Sequence, residues 1–338
     1  MFQSSIWRCR LTLAALCAAA LIHAVPAGAQ DLKKISVNSF KSSTAWPIWA
    51  AQKNGFFAQE GLAIDLTFTR GSREQMTSLI RGGIDVAVTA LDNVIAYVEG
   101  EGSPDAPKNA DLIAFMGGNN GNLRLIALPD IKSVKDLKGK DIAVDAISTG
   151  FSFVLREILA KSGLKPDDYK FVAVGGTGQR WQALQKKLQA AALLTPPLTL
   201  IAEARGFNNL ADASDVLGSY QGLVGSARRE WAQKNSDLVI RYIRAYRRGQ
   251  DWLYAPGNKD AAISILRAEI PETSQKLAEA TYVLLIGKGT GFDRDAKLNL
   301  TGAKHVLDLR RRYGPQGKTI ADVRHFIDDS YFEKALKR

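Results

Sequence analysis

The sequence predicts an α/β protein of two lobes, each a mostly parallel sheet flanked by helices. Three observations point there. Strand-like and helix-like segments alternate from Lys34 with few interruptions, the pattern of parallel sheets covered on both faces. The alternation restarts near residue 119 with a different helix spacing, so the chain reads as two such units. From about Trp231 the sequence turns helical and basic, and these amphipathic helices are expected to cover the first unit. The predicted boundaries are 1–29 for a leader, 30–118 for lobe I, 119–215 for lobe II and 216–338 for a return to lobe I.

Each element follows from local pattern. ISVNSF (35–40) is strand-like and leads into STAWPIWAAQKNGFFAQEGL (43–62), where a helix opens. A residue before proline is pushed toward extended geometry, whereas proline itself is tolerated in a first helical turn. Trp46 is therefore predicted for a loop at the mouth of a cleft, where its ring would either stack on a ligand or seal the seam between the lobes. Trp49, sharing a helix with Ile48 and Ala51, is predicted for the core. LAIDLTF (62–68) alternates with period two, as an edge strand with one wet face does. A helix opens at Ser72, IDVAVTA (84–90) is a buried strand by its apolar run, and LDNVIAYVEG (91–100) is the next helix. DLIAFMGG and LRLIALPD, parted by Asn119, Asn120 and Gly121, read as strands. Strands at 141–146, 170–176 and 191–195 then alternate with helices at 149–163, 177–189 and 196–206.

The first residues predict a compartment. Arg8 and Arg10 precede LTLAALCAAALIHAV and a small-x-small site at Ala27-Gly28-Ala29, the makings of a secretory leader with the mature chain starting at Gln30. That apolar run is shorter than a membrane span of roughly 20 residues. Cys9, Cys17 and His23 would leave with it, removing disulfides, thiol nucleophiles and cysteine metal sites. The formal charge of +11 is spread along the chain, so nucleic acid is not an expected partner.

Catalysis is hard to locate. A hydrolytic triad needs a histidine beside a nucleophile, and His305 and His325 both lie in basic C-terminal segments. Two isolated histidines make no zinc site. GGTGQR (175–180) and GKGTG (287–291) lack the spacing that wraps a phosphate chain. A binding site is easier to find. In open parallel sheets, ligands sit beyond the carboxyl ends of the strands, where helix N-termini present free amides. Those positions are repeatedly small and polar: Ser42-Ser43-Thr44, Gly71-Ser72, Thr89-Ala90, Ser148-Thr149-Gly150, Thr177-Gly178 and Thr195-Pro196. Arg180, three residues into a helix opened by Thr177, could add a full positive charge and favour an anion. Asp92 and Asp145, near strand ends, would instead suit an amine or a polar ring nitrogen.

WPIWAAQKNGFFAQEGL, the Gly-Ser helix start, LIRGGIDVAV, VKDLKGKDIAVDAISTGFSFVLREILAKSGL and AALLTPPLTLIAEARGFNNLAD, in this order and spacing, resemble the solute-binding proteins of nitrate/sulfonate/taurine-type ABC importers. These are relatives of the proteins named for thiamine-pyrimidine synthesis. The resemblance covers most of the chain after the leader. It implies a type II periplasmic binding fold with two crossing strands, whose lobes close on a small molecule. It implies no catalytic residue, metal or cofactor, a periplasmic monomer, and an ABC permease in the inner membrane as partner. Carried over residue by residue, it implies a site at 42–46, Gly71-Ser72, Thr89-Ala90-Leu91-Asp92, 119–121 with Asn119 and Asn120, 148–151, and Thr195. One departure is LQAAALL (188–194), which stands where the family has an acidic turn before the strand. The ligand expected is a small organic anion, sulfonate or carboxylate, or a pyrimidine-like compound. The alternatives are an enzyme of the pyrimidine-synthesis type and a sensory module presenting ligand to a receptor.

Overall fold

The computed structural model describes residues 31–108, 110–287, 291–315 and 319–337. The predicted leader, with Cys9, Cys17 and His23, and most of GKGTG lie outside the described residues. Within them, ten strands build two five-stranded sheets. In chain order these are β1 (Lys33–Phe40), β2 (Leu62–Thr69), β3 (Val86–Ala90), β4 (Leu112–Asn119), β5 (Arg124–Ala127), β6 (Lys140–Val144), β7 (Tyr169–Ala173), β8 (Ala191–Leu194), β9 (Asn208–Asp212) and β10 (Leu223–Arg228).

The first sheet runs β2-β1-β3-β10-β4 and the second β7-β6-β8-β5-β9. In each, one strand opposes the other four: β10 pairs antiparallel with β3 and β4, and β5 with β8 and β9. The alternating run from Leu62 is an edge strand, registered from Lys33 opposite Leu62 to Phe40 opposite Thr69. Its Asp65 and Thr67 are exposed. The continuous apolar run at Val86–Ala90 is buried along its whole length, as a strand covered on both faces must be.

Strands β9 and β10 were not expected from the pattern. NNLAD offers one large apolar residue, and LVGSAR carries a glycine and a serine mid-strand. The glycine is there for space. A Cβ at Gly225 would come within 2.7 Å of Met116 and 3.0 Å of Phe115, so β10 lies too close to β4 for a side chain at that position.

The chain leaves the first sheet after β4 and re-enters it at β10, and the two passages touch. Gly222 donates to the Asn119 carbonyl (2.8 Å) and accepts from the Leu91 amide (2.9 Å). A Cβ at Gly222 would sit 2.1 Å from the Gly121 nitrogen, and Gly121 itself has φ of 89°, a conformation glycine adopts without strain. Beside this crossing, Gln221 Nε2 donates to Asp293 (3.0 Å), and the Asp293 amide donates to the Gly118 carbonyl (3.0 Å). Burial pushes the Asp293 carboxyl up to about 6, although the Gln221 bond favours its charged form. Tyr246 and Tyr254 lie near enough to feel its charge.

An unfolded aspartate titrates near ~3.9, so between that value and about 6 the folded state holds a proton that the unfolded state has lost. Stability from this group therefore rises as pH falls through 6 and is greatest below ~4. Asp293→Asn is expected to stabilise the protein at pH ~7.5 by on the order of 2–3 kcal/mol. It should also flatten the pH dependence of the urea midpoint between ~4 and 6. An unchanged slope across that window would show that Asp293 is not its source.

Helix Ser236–Tyr254 packs Val239, Tyr242, Ile243, Tyr246 and Leu253 inward, with Tyr242 stacked on Phe57 at 5.5 Å and edge-on to Phe115 at 6.2 Å. Helix Leu300–Tyr313 touches both helix Leu91–Val98 and helix Gly150–Lys161, so it bridges the elements of the two sheets. No helix among the described residues is long and apolar enough to cross a membrane.

Candidate functional site

A cavity of about 40 Å³ lies between the two sheets, beyond the carboxyl ends of β1, β3, β6, β7 and β8. This is where open α/β sheets bind ligands. Phe40, Ala90, Phe151 and Leu223 supply apolar walls; Ser42, Thr44, Asn93, Asp145, Thr149, Thr177, Arg180 and Thr195 supply polar ones. Gly121, Gly150 and Gly176 let backbone approach. Gly150 and Thr177 are the first residues of their helices, so free amides and positive dipole ends border the space.

Arg180 dominates the electrostatics. Gly175 takes φ of 114° to turn the chain, and the Gly176 amide donates to Gln179 Oε1 (2.8 Å) to start the helix. One turn in, Arg180 Nε donates to the Leu193 carbonyl (2.9 Å) and Nη1 to the Gly175 carbonyl (2.7 Å). The residue is 3% exposed. No carboxylate among the described residues pairs with it. Burial pushes the guanidinium below its ordinary value, and the charge of Asp145 opposes that shift. A guanidinium carries five donors, and two are spent on carbonyls. A buried cation with no directly paired carboxylate is costly, and an anion in the cavity would relieve that cost. Thr195 Oγ1, on the same wall, is buried without a hydrogen-bond partner.

Contacts across the cavity hold the two halves together. Ser43 donates to the Pro196 carbonyl (2.5 Å), Ser72 to Asp145 Oδ2 (2.6 Å), and the Gly176 amide to the Arg70 carbonyl (2.9 Å). Of the residues expected at the site, Ser42, Thr44, Ala90, Thr149, Gly150, Arg180 and Thr195 line the cavity. Ser43, Gly71 and Ser72 instead belong to the seam around it.

Several expected contacts are corrected. Trp46 is not at the mouth: it is fully buried, and its indole N–H donates to the Ala262 carbonyl (3.1 Å). A 3₁₀ turn over Ser43–Ala45 runs straight into helix Trp46–Lys53. Trp46 adopts helical φ of −56° and ψ of −42° despite the following proline, and its ring turns away from the cavity. Asp92 does not face a ligand either, because Arg310 takes both its oxygens at 2.7 Å. Thr89 is fully buried and accepts from Asn93 Nδ2 (2.9 Å). Asn119 and Asn120 turn their side-chain oxygens onto the Gly121 and Asn122 amides, serving the crossing. Ser148 is exposed and gives its carbonyl to Arg310 (3.2 Å).

Phe40, Asn93, Gly176 and Leu223 line the cavity without having been singled out. Phe40 and Gly176 close strand-like runs, a signal that position alone could have supplied. Asn93 and Leu223 had no such mark. His305 and His325 are exposed and absent from the cavity wall. Among the described residues no cluster of three or more His, Cys, Asp or Glu is placed to hold a metal.

A family model described as NMT1/THI5 like matches residues 42–259. The chain is 25% identical over 308 residues to the binding protein YtlA of Bacillus subtilis, covering 86% of this chain and 87% of that one. It is 21% identical over 250 residues to the formylaminopyrimidine-binding protein of Halalkalibacterium halodurans, covering 71% and 72%. The crystal structure of the periplasmic nitrate-binding protein NrtA of Synechocystis matches with a TM-score of 0.74 at 14% identity, covering 91% of this chain and 89% of that one. The shared fold is that of the periplasmic binding proteins.

Proposed function

Because the chain belongs to the NMT1/THI5-like family, we propose that it is the extracytoplasmic solute receptor of an ABC importer, closing its lobes on one small organic anion of the sulfonate or carboxylate class. Proteins of this kind bind small molecules and work with ABC transporters. The observation that carries the anion is Arg180: a buried guanidinium on the cavity wall, fixed by two carbonyls and not paired directly with a carboxylate among the described residues. Helix N-termini at Gly150 and Thr177 add to it. The apolar walls of Phe40, Phe151 and Leu223 suit a carbon skeleton better than a bare inorganic ion. The receptor acts as a monomer, delivers its ligand to a permease in the inner membrane, and performs no chemistry; no histidine or cysteine lines the cavity.

The test is calorimetry with nitrate, propanesulfonate and propanoate against wild type and Arg180→Met. A charge-assisted hydrogen bond contributes ~1.5–3 kcal/mol, so the variant should lose at least about tenfold in affinity for whichever anion binds best. Circular dichroism should show it still folded. Equal anion affinity in a folded Arg180→Met protein would remove the arginine from the site, and failure of all three anions to bind wild type would remove the anion from the reading.

A further inference from the structure

Ser42 lines two spaces. One is the Arg180 cavity of about 40 Å³; the other is a groove of about 260 Å³, with Lys41 and Pro271 on one side and Gln182 and Ile201 on the other. Three segments pass from the first space to the second. Thr195 lines the cavity and Pro197 the groove, Thr177 the cavity and Gly178 the groove, Thr44 the cavity and Lys41 the groove. Where two of these segments meet, Ser43 Oγ donates to the Pro196 carbonyl at 2.5 Å. Ser43 follows β1 and Pro196 follows β8, so the bond joins the two halves at the boundary between the spaces. Neither residue lines either space, and Ser43 is 2% exposed, so water does not stand in for its partner. Elsewhere along the seam the Ser72–Asp145 and Gly176–Arg70 bonds close the cavity, and none of those four residues borders the groove.

We propose that the groove is the vestibule of the binding cavity, and that the Ser43–Pro196 hydrogen bond is the gate between them. Ser43 then governs how fast the ligand leaves without touching it. The inference rests on the reading of the inner cavity as the anion site. Charge on the groove wall fits that use: Lys41 and Arg205 outnumber Glu272 there, and a net positive vestibule raises the local concentration of an anion. Arg205 is held 5.6 Å above the Trp181 ring, which keeps its charge on that wall. The anion passes only while the Ser43 bond is broken, and such gating steps set rates. A bond made in the closed state and absent during passage adds its free energy to the barrier for exit.

The experiment is stopped-flow fluorescence on the full folded protein with nitrate, propanesulfonate and propanoate, comparing wild type, Ser43→Ala and Gln182→Trp. For the anion that binds wild type best, Ser43→Ala should speed release about fivefold. A serine that only packed would lower the urea midpoint and leave that rate alone. Gln182 is exposed on the groove wall and absent from the cavity wall, so Gln182→Trp narrows the vestibule and leaves the cavity as it is. It should slow association and dissociation together, each by at least about threefold, with affinity held within about twofold. A folded Ser43→Ala protein that releases the anion at the wild-type rate overturns the gate. A Gln182→Trp protein with wild-type rates in both directions overturns the route. Either result leaves the anion reading standing, because wild type still binds. If none of the three anions binds wild type, the anion reading fails and the gate falls with it. Should Ser43→Ala not fold, the Gln182→Trp rates decide alone.

Discussion

Arg310→Ala is expected to destabilise the protein by about 3–5 kcal/mol, because it strands two buried carboxylates. Arg310 is fully buried on helix Leu300–Tyr313. Its Nε and Nη2 grip the two oxygens of Asp92 at 2.7 Å each, and Nη1 bonds Glu101. The Asp92 side chain is 0% exposed and that of Glu101 3%, so water cannot replace the lost partner. The guanidinium also stacks 5.2 Å from the Phe153 ring and donates to the Ser148 carbonyl at 3.2 Å. Fork geometry and ring stacking belong to arginine and not to lysine, so Arg310→Lys should recover only part of the loss. The decisive comparison is the triple variant Arg310→Met, Asp92→Asn, Glu101→Gln. Removing all three charges should restore much of the stability that the single change loses. Equilibrium urea unfolding of the four proteins measures this. A single alanine variant within ~1 kcal/mol of wild type would mean that the carboxylates find other partners.

The triad also bears on the cavity. A Cβ on Gly150 would lie 2.4 Å from Asp92 Cβ, so Asp92, fixed by Arg310, is the surface against which the cavity-lining start of helix Gly150–Lys161 rests. The residue expected to touch ligand instead supports the cavity wall.

How far the sequence reveals such arrangements depends on the range of the interaction. Strand β2 shows its wet face by alternation and β3 its double burial by an apolar run, because both patterns are local. The helix starts at Ser72, Gly150 and Thr177 fall where small polar residues stand, again because capping and backbone approach are local demands. Those positions led to most of one cavity wall, including Thr149, Gly150, Arg180 and Thr195. Strand β10 was hidden because its Gly225 answers to Phe115 and Met116, over a hundred positions back in the chain. Asp92 near a strand end looks like a ligand group until a partner 218 residues away is known. Arg180 and Asp145 stood in the sequence only as opposed signals; the structure places both on the lining of one cavity, unpaired with each other.

Trp46→Ala is expected to cost about 3–5 kcal/mol of stability, the range for emptying a buried aromatic site, while leaving the ligand affinity of the folded fraction within about threefold. The ring lies in a cluster with Trp49, Leu253, Ala262, Ile263, Leu266 and Tyr282, its centroid 6.2 Å from Tyr282 at 75°. Leu253, Ala262, Ile263, Leu266 and Tyr282 come from the C-terminal helices, the Ala262 bond spanning 216 positions. The pair of tryptophans around Pro47 therefore anchors those helices to the first sheet. Trp49, 2% exposed and edge-on to Phe68 at 6.2 Å, should cost a similar amount as alanine, so the two substitutions are expected to behave alike. Trp46→Phe separates the terms: it keeps most of the packing and loses the indole donor, at about 1 kcal/mol for one hydrogen bond. Urea unfolding without ligand reads the stability and calorimetry reads the affinity. Were Trp46→Ala to melt like wild type and bind at least tenfold more weakly, the ring would belong to the cleft after all, and the cluster around Ala262 would have to be held by Trp49 alone.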